Sequence, residues 1–218
     1  MENRIAAVKI ALFFLCLAPL IHYGWGAWQD TLGANPIETL TRGLGDWALR
    51  FLLITLAITP LRRVTGWAWL MRLRRMLGLF VFFYASLHLL AYLWLDQFFD
   101  WGEIGRDILK RPFITAGMVA FLMLVPLAAT SSNAMVRRLG GRRWQSLHRL
   151  IYPAALIAVL HFTWMVKLDI TEPALYGVLL AVLLGVRLYW RVFAAPGAAM
   201  QTGFPRGGQR IIPIQPRR

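Results

Sequence analysis

The chain has 218 residues, 58% of them apolar and only 16% charged, with 24 Lys and Arg against 10 Asp and Glu for a formal charge of +14. A soluble domain carries roughly 25% charged residues, whereas the apolar excess here comes in blocks close to the ~20 residues that cross a hydrocarbon core. An ordinary soluble domain is therefore excluded, and the placement of the basic residues, segment by segment, excludes nucleic-acid binding as the meaning of the charge.

The first apolar block, 8–28, follows a basic start with Arg4 and Lys9. It resembles a signal peptide, but it is long, lacks a clear small-residue cleavage site and contains Pro19 and His22, so it predicts an uncleaved first span. Cys16 is the sole cysteine, which leaves no disulfide and no cysteine-based metal site within one chain. Five further blocks, 44–61, 76–95, 113–130, 147–166 and 174–193, predict an all-α integral membrane protein, a bundle of six transmembrane helices.

The segments between these blocks alternate in sign. Asp30, Glu38, Arg42 and Asp46 precede the second span, and Arg62, Arg63, Arg72, Arg74 and Arg75 follow it with no acid. Segment 96–112 is mixed, segment 131–149 is purely basic, Lys167, Asp169 and Glu172 share the next turn, and the chain after 186 is purely basic. One set of segments thus holds 18 of the 24 bases and one acid, and the other holds six bases and nine acids. Lys and Arg in short loops stay cytoplasmic, so both termini are expected inside, with the basic surface facing anionic lipid of the bilayer.

Residues 1–194 read as one membrane domain without an internal repeat, and 195–218, rich in Pro, Gly and Arg, as a disordered basic cytoplasmic tail. Asn35-Pro36 marks an outer turn, Pro60 and Pro112 lie near span ends, and Gly140-Gly141 breaks an inner loop. Tryptophans gather at span ends as interfacial belts do. No glycine-rich nucleotide-binding motif is present in the sequence.

Four histidines carry the chemistry: His22, His88, His148 and His161. Polar side chains inside spans are costly and face a bundle interior or a cofactor. His88 lies eight residues from the acidic end of its span and His161 six from the same side, so both are about 9–12 Å deep. Two imidazoles at one depth on different helices suit bis-histidine ligation of heme iron, which fills both axial sites and favours electron transfer.

His148 is 13 residues before His161, about 20 Å lower along an ideal helix but on a different face unless Pro153 kinks the span. That depth suits a second heme or an electron entry site, yet span three offers only Arg74 and Arg75 at the matching level. His22 reads as an interfacial residue. Arg50 is either a snorkelling side chain paired with Asp46 or an anchor for a heme propionate. Arg74 and Arg75 are either topology residues or contacts for a propionate or a flavin phosphate.

The stretches RRMLGLFVFFYASLHLLAYLWLD (74–96) and LGGRRWQSLHRLIYPAALIAVLHFTW (139–164) resemble the heme-carrying spans of the ferric reductase-like transmembrane superfamily, which includes NADPH oxidases. The short chain, the missing dehydrogenase domain and the His88–His148–His161 spacing are most similar to its branch of small bacterial inner-membrane subunits that serve methionine sulfoxide repair. The resemblance covers about residues 1–195.

It implies that His88, His148 and His161 are heme-iron ligands holding one or two b hemes, with FMN as a further cofactor. Electrons would enter from a cytosolic flavin reductase or the quinone pool. They would leave to a periplasmic molybdopterin enzyme that reduces methionine sulfoxide in oxidised envelope proteins. Larger oxidases carry two histidines on each of two helices, and span three here lacks one. No FMN motif is visible in the residues. Other readings of the same chain are a stand-alone ferric or oxygen reductase and a small transporter. The transporter would need paired charges near the midplane, and no acid lies deep in any span.

Overall fold

The computed structural model describes residues 2–166 and 169–193. Those residues form nine α-helices joined by short turns, with no strand among them: α1 (Glu2–Trp28), α2 (Pro36–Thr65), α3 (Arg74–Ala91), α4 (Trp101–Lys110), α5 (Pro112–Ala129), α6 (Asn133–Leu139), α7 (Gly141–Leu147), α8 (Ile151–Met165) and α9 (Thr171–Phe193). The proposed tail at 195–218, and Lys167, fall outside the described residues.

Five helices are long and apolar enough to cross a membrane: α1, α2, α3 with its continuation to Asp96, α5 and α9. The protein is a multi-pass, all-α transmembrane protein. The block expected at 147–166 is divided. His148–Leu150 forms a 3-10 turn, and α8 proper has 15 residues, a rise of about 22 Å. Pro153 occupies the first turn of α8, where its missing N–H has no helical partner to lose. It therefore starts the helix rather than kinking one in mid-course, and the face calculated for an unbroken helix does not apply.

Local chemistry sets the other ends. Asn35 caps α2 by accepting from the Glu38 N–H at 3.3 Å, with Pro36 at the first helical position. Gly66 ends α2 in the left-handed region, at φ 75°, which a glycine adopts without steric cost. Asp100 caps α4 through the N–H groups of Gly102 and Glu103, at 2.9 and 3.0 Å. Segments 96–112 and 131–149, read as loops, thus contain the short helices α4, α6 and α7.

The helices pack chiefly as two antiparallel pairs, α2 with α3 and α5 with α8, joined through α3–α5 and α2–α8 contacts. α9 lies against α2 and α8. It is tied to α2 by two arginines: Arg50 Nε donates to Tyr176 Oη at 2.9 Å, and Arg187 Nη2 donates to the Leu56 carbonyl. The second bond has a cause. Pro60 sits four residues after Leu56 and has no N–H to give its carbonyl.

α1 is held through Tyr84 of α3, which is fully buried. The Tyr84 hydroxyl donates to the Cys16 carbonyl at 2.7 Å and accepts from the Leu20 N–H at 3.2 Å. It bridges the Leu20 amide and the Cys16 carbonyl beside Pro19. Outward faces carry Phe14, Leu15, Val178 and Leu188, all exposed and apolar, as a lipid-facing surface requires.

Because the helices alternate in direction, one end of the bundle gathers Glu38, Asp96, Asp100, Glu103 and Asp107, and the other gathers the Arg-rich turns. These are called the acidic and basic ends below.

Candidate functional site

Where the two helix pairs meet, a cavity of about 870 Å³ opens between α2, α3, α5 and α8, in the half of the bundle nearer the acidic end. Cofactor sites are commonly ~300–1,000 Å³ and mostly apolar. Leu49, Leu52, Val81, Leu89, Phe121 and Leu124 supply the apolar walls, and small residues thin them at Gly45, Ala48, Ala85, Gly117, Ala120 and Ala158. Both His88 and His161 line it, and the helices bring their rings to 6.1 Å between centres, at 72° to each other.

Each imidazole is fixed in the same way. His88 Nδ1 donates to the Thr41 carbonyl of α2 at 2.8 Å. His161 Nδ1 donates to the Phe113 carbonyl of α5 at 2.6 Å. A carbonyl only accepts, so Nδ1 carries the proton and Nε2 keeps the lone pair of a neutral ring. Both carbonyls already take the N–H four residues on in their own helix, and in both cases that residue is glycine: Gly45 and Gly117. A Cβ at Gly45 would lie 3.0 Å from His88 Nδ1, and one at Gly117 would lie 3.0 Å from His161 Nδ1. The two glycines therefore leave each carbonyl open to a ring from the neighbouring helix.

The arrangement fits a hexacoordinate metal centre. An imidazole nitrogen bonds a metal at about 2.0–2.1 Å, and the ring centre lies about 1.1 Å behind it. The rings of His88 and His161, 6.1 Å apart between centres, are close enough for both to be donors to one metal-bearing cofactor. Carbonyl-bound Nδ1–H with a free Nε2 is also the state of most metal-ligating histidines. At the wall beside His88, Thr41 Oγ1 is buried with no hydrogen-bond partner among the described residues. Arg42 and Arg111 line the acidic end of the cavity, each beside an acid of its own turn: Glu38 at 2.5 Å and Asp107 at 3.2 Å. Glu38, Asp46 and Asp96 line the same end, so a group entering there meets a hydroxyl, two arginines already paired with acids, and three carboxylates. Among the described residues no group of three His, Cys, Asp or Glu is placed to hold a metal ion, so a ligand set of two histidines needs the remaining positions filled by the cofactor itself.

The other residues singled out from the sequence lie elsewhere. Arg50 forms no ion pair with Asp46; its guanidinium donates to Tyr176 and rests 4.9 Å over the Trp47 ring. The i,i+4 attraction loses to a hydroxyl on the neighbouring α9 combined with an aromatic face. Nor is Arg50 part of the cavity wall.

His148 is in the basic half, outside the His88–His161 cavity. The Trp144 ring stacks on it at 3.9 Å, and Thr130 Oγ1 lies 3.0 Å from its Nε2. The Thr130 hydroxyl gives its one proton to the Pro126 carbonyl at 2.6 Å, so it accepts from His148 Nε2–H. That leaves the lone pair on Nδ1, the reverse of the other two histidines. Arg75 Nη2 donates to Asn133 Oδ1 at 2.5 Å, and Arg74, half-buried, is the first residue of α3. His22 is exposed, edge-on to Tyr23.

The sequence pattern described as "ferric reductase like transmembrane component" matches residues 44–159, more than half of the chain. Three relatives named protein-methionine-sulfoxide reductase heme-binding subunit MsrQ extend the likeness. One from Azospira oryzae is 57% identical over 87% of this chain and 82% of its own length. One from Rhodospirillum rubrum is 56% identical over 86% and 90%, and one from Xanthomonas campestris is 53% identical over 92% and 94%. The chain belongs to the MsrQ family of ferric reductase-like transmembrane proteins. For this family member, the shared region begins at Leu44 on α2 and ends at Val159 on α8, so it includes Gly45, His88, Gly117 and His148 and stops two residues before His161.

Three features of the site escaped the sequence reading: Gly45 with Gly117, Thr41, and the pair Arg42 and Arg111. A signal existed for the glycines. Gly45 precedes His88 by 43 residues and Gly117 precedes His161 by 44, a near-repeat too sparse to register as one.

Proposed function

We propose that this chain is a heme b electron-transfer subunit in which His88 and His161 would hold the heme iron, serving a methionine sulfoxide reductase. The observation that carries this is the matched pair of imidazoles, 6.1 Å apart and each held at Nδ1 by a carbonyl beside a glycine. The heme supplies one-electron redox chemistry when bound. The protein's own residues do the rest. His88 and His161 would hold the iron through Nε2, the apolar wall would keep water from the cofactor, and Thr41, Arg42 and Arg111 are the groups at the acidic end that could hold a cofactor carboxylate.

The names of the relatives support the repair role, and the basic end supports a cytoplasmic origin for the electrons. We place both termini and the Arg-rich turns in the cytoplasm, with six crossings of the bacterial inner membrane, the 3-10 turn and α8 making the fifth. Residues 1–194 would form the membrane domain. Short basic turns suit an acidic or phosphate-bearing donor such as a reduced flavin protein. An inside-negative potential favours outward electron flow by about 2.3 kcal/mol per 100 mV for a full crossing. A periplasmic molybdopterin methionine sulfoxide reductase is the proposed acceptor, with Phe98, Phe99 and Trp101 exposed at the acidic end as its docking point. FMN is proposed from the resemblance, and the quinone pool is the other proposed donor.

Purified protein from heme-replete membranes should show b-type bands on dithionite reduction. NADPH with a cytosolic flavin reductase should reduce the same bands, and the oxidised periplasmic enzyme should reoxidise them in anaerobic stopped flow. Bands that stay reduced would remove the proposed acceptor, and a colourless preparation would remove the heme. Periplasm-active reporters should work when fused near Asn35, Asp100 and Asp169 and fail near Gly66 and Gly140; activity at Gly140 would overturn the six crossings.

A further inference from the structure

Among the described residues, two side-chain hydrogen bonds join the α2–α3 pair to the other half of the bundle, the α5–α8 pair with α4, α6 and α7. One lies at each end. At the basic end Arg75 of α3 reaches Asn133 of α6. At the acidic end Tyr92, directly after α3, donates from Oη to Asp107 Oδ2 of α4 at 3.3 Å. His88 and His161 stand on opposite sides of the seam between the halves, so a tie across it near them bears on the separation and angle of their rings.

The acidic-end tie is built around Asp107. Its side chain is only 13% exposed, and Ile104, one turn earlier on the same face of α4, is buried and seats the helix. Oδ2 takes the Tyr92 proton, and Oδ1 meets Arg111 Nε at 3.2 Å. A carboxylate has an oxygen for each partner and so serves both at once. Hydrogen bonds to an ionised group are stronger than neutral ones. Both partners line the His88–His161 cavity. The Glu38–Arg42 and Glu103–Arg106 pairs are different in kind: each is confined to one helix and exposed on both sides, where an ion pair contributes little.

The two partners of Asp107 lead to the two rings. Tyr92 follows His88 by four residues, and there α3 passes into a π-turn, Tyr92–Asp96, with the Gln97 N–H on the Tyr92 carbonyl at 3.0 Å. Such turns are rare and recur at functional sites. Arg111 caps α4 and opens α5. Its N–H returns to the Asp107 carbonyl and its own carbonyl takes the Ile114 N–H, both at 2.9 Å, and Pro112 fixes the next φ. Phe113, two residues on from Arg111, supplies the carbonyl that holds His161 Nδ1. One carboxylate therefore connects the turn beyond one ring to the acceptor of the other. Groups that orient a ligand in this indirect way tune the centre it serves.

We propose that Asp107 is a positioning residue for the His88–His161 pair. It ties Tyr92 to Arg111 across the acidic end of the cavity and so fixes the separation and angle of the two imidazoles. The inference rests on the proposed function for the heme, and on the hydrogen bonds alone for the tie.

The test uses full-length wild type, D107A, D107N, Y92F and E103Q, purified in mild detergent with the heme they retain. Electron paramagnetic resonance of the oxidised heme reports the angle between the imidazole planes, and transfer to apomyoglobin gives the rate of heme loss. D107A should move the low-spin resonance and speed heme loss at least fivefold. Y92F removes one hydroxyl and no charge, and should move the resonance in the same direction with a smaller rise in heme loss. D107N has one acceptor oxygen for two partners and should fall between wild type and D107A. E103Q removes a charge from the same helix and should match wild type. A wild-type resonance in both D107A and Y92F overturns the proposal, even where the unfolding midpoint falls, and so does an equal shift in E103Q. Should D107A not fold, Y92F decides alone. Amide hydrogen exchange over residues 111–117, read in the same samples, should be faster in D107A and Y92F than in E103Q. A wild type without low-spin heme would defeat the proposed function; the exchange comparison then decides the tie, and equal exchange in all variants overturns it.

Discussion

Arg75 and His88 are 13 residues apart on α3, and His148 and His161 are 13 residues apart on the stretch that ends in α8. At the acidic-half level the two positions hold a matched pair of imidazoles over one cavity, each backed by a glycine and bonded to a carbonyl. At the basic-half level the positions differ in every respect. Arg75 turns to Asn133, and His148 carries the opposite tautomer under Trp144. The acidic half is preorganised by backbone acceptors; the basic half is held by side chains. Ligand geometry fixed by the backbone resists change, because the carbonyl cannot rotate away without unwinding its helix.

The largest expected effect comes from comparing His161→Ala with His148→Ala. The first, like His88→Ala, should remove at least 90% of the acidic-half heme signal in reduced-minus-oxidised spectra. The second should leave that signal while slowing its reduction from the cytoplasmic side. Equal loss in both would merge the two halves into one site.

Next come the glycines. Gly117→Ala or Gly45→Ala puts a methyl group 3.0 Å from a ring nitrogen, an overpacking that costs about 1–3 kcal/mol. Heme should remain bound, with a lower unfolding midpoint, altered low-spin electron paramagnetic resonance values and a shifted reduction potential. Gly140→Ala, also a strained change at φ 75°, should move stability and leave the resonance unaltered. A resonance shift in Gly140→Ala would show that strain anywhere in the bundle reaches the ligands. The smallest effect belongs to His22→Ala, on the exposed face of α1: heme content and spectrum should match wild type, and heme loss there would mean that the wrong helices are paired.

Much of the acidic half was legible. Hydropathy placed α1, α2, α3, α5 and α9, because a span announces itself by length alone. The equal depth of His88 and His161 followed from residue counting along opposed helices. What counting cannot supply is which neighbour a ring bonds. Gly45 and Gly117 matter only because α3 and α8 pack against their carbonyls, a fact of pairing across 43 and 44 residues. The helix α4 was missed although Asp100 and Glu103 form a capping signature ahead of an amphipathic turn. Arg187 was missed for a different reason: counted with the basic tail, it looked like one more topology residue, and only the Pro60 gap in α2 and the contact with Tyr152 show it turned inward.

Tyr84 bears on the order in which the protein is made. α1 leaves the ribosome before α3, with a proline at position 19 and with a Leu20 amide and a Cys16 carbonyl that the Tyr84 hydroxyl bridges. Tyr84 follows 64 residues after Leu20. Until α3 has entered the bilayer, α1 must wait there with an amide and a carbonyl that lipid cannot satisfy, or close them on each other and straighten. α1 is thus inserted before α3 and finished only with it. Its docking reports that α3, and with it His88, has arrived.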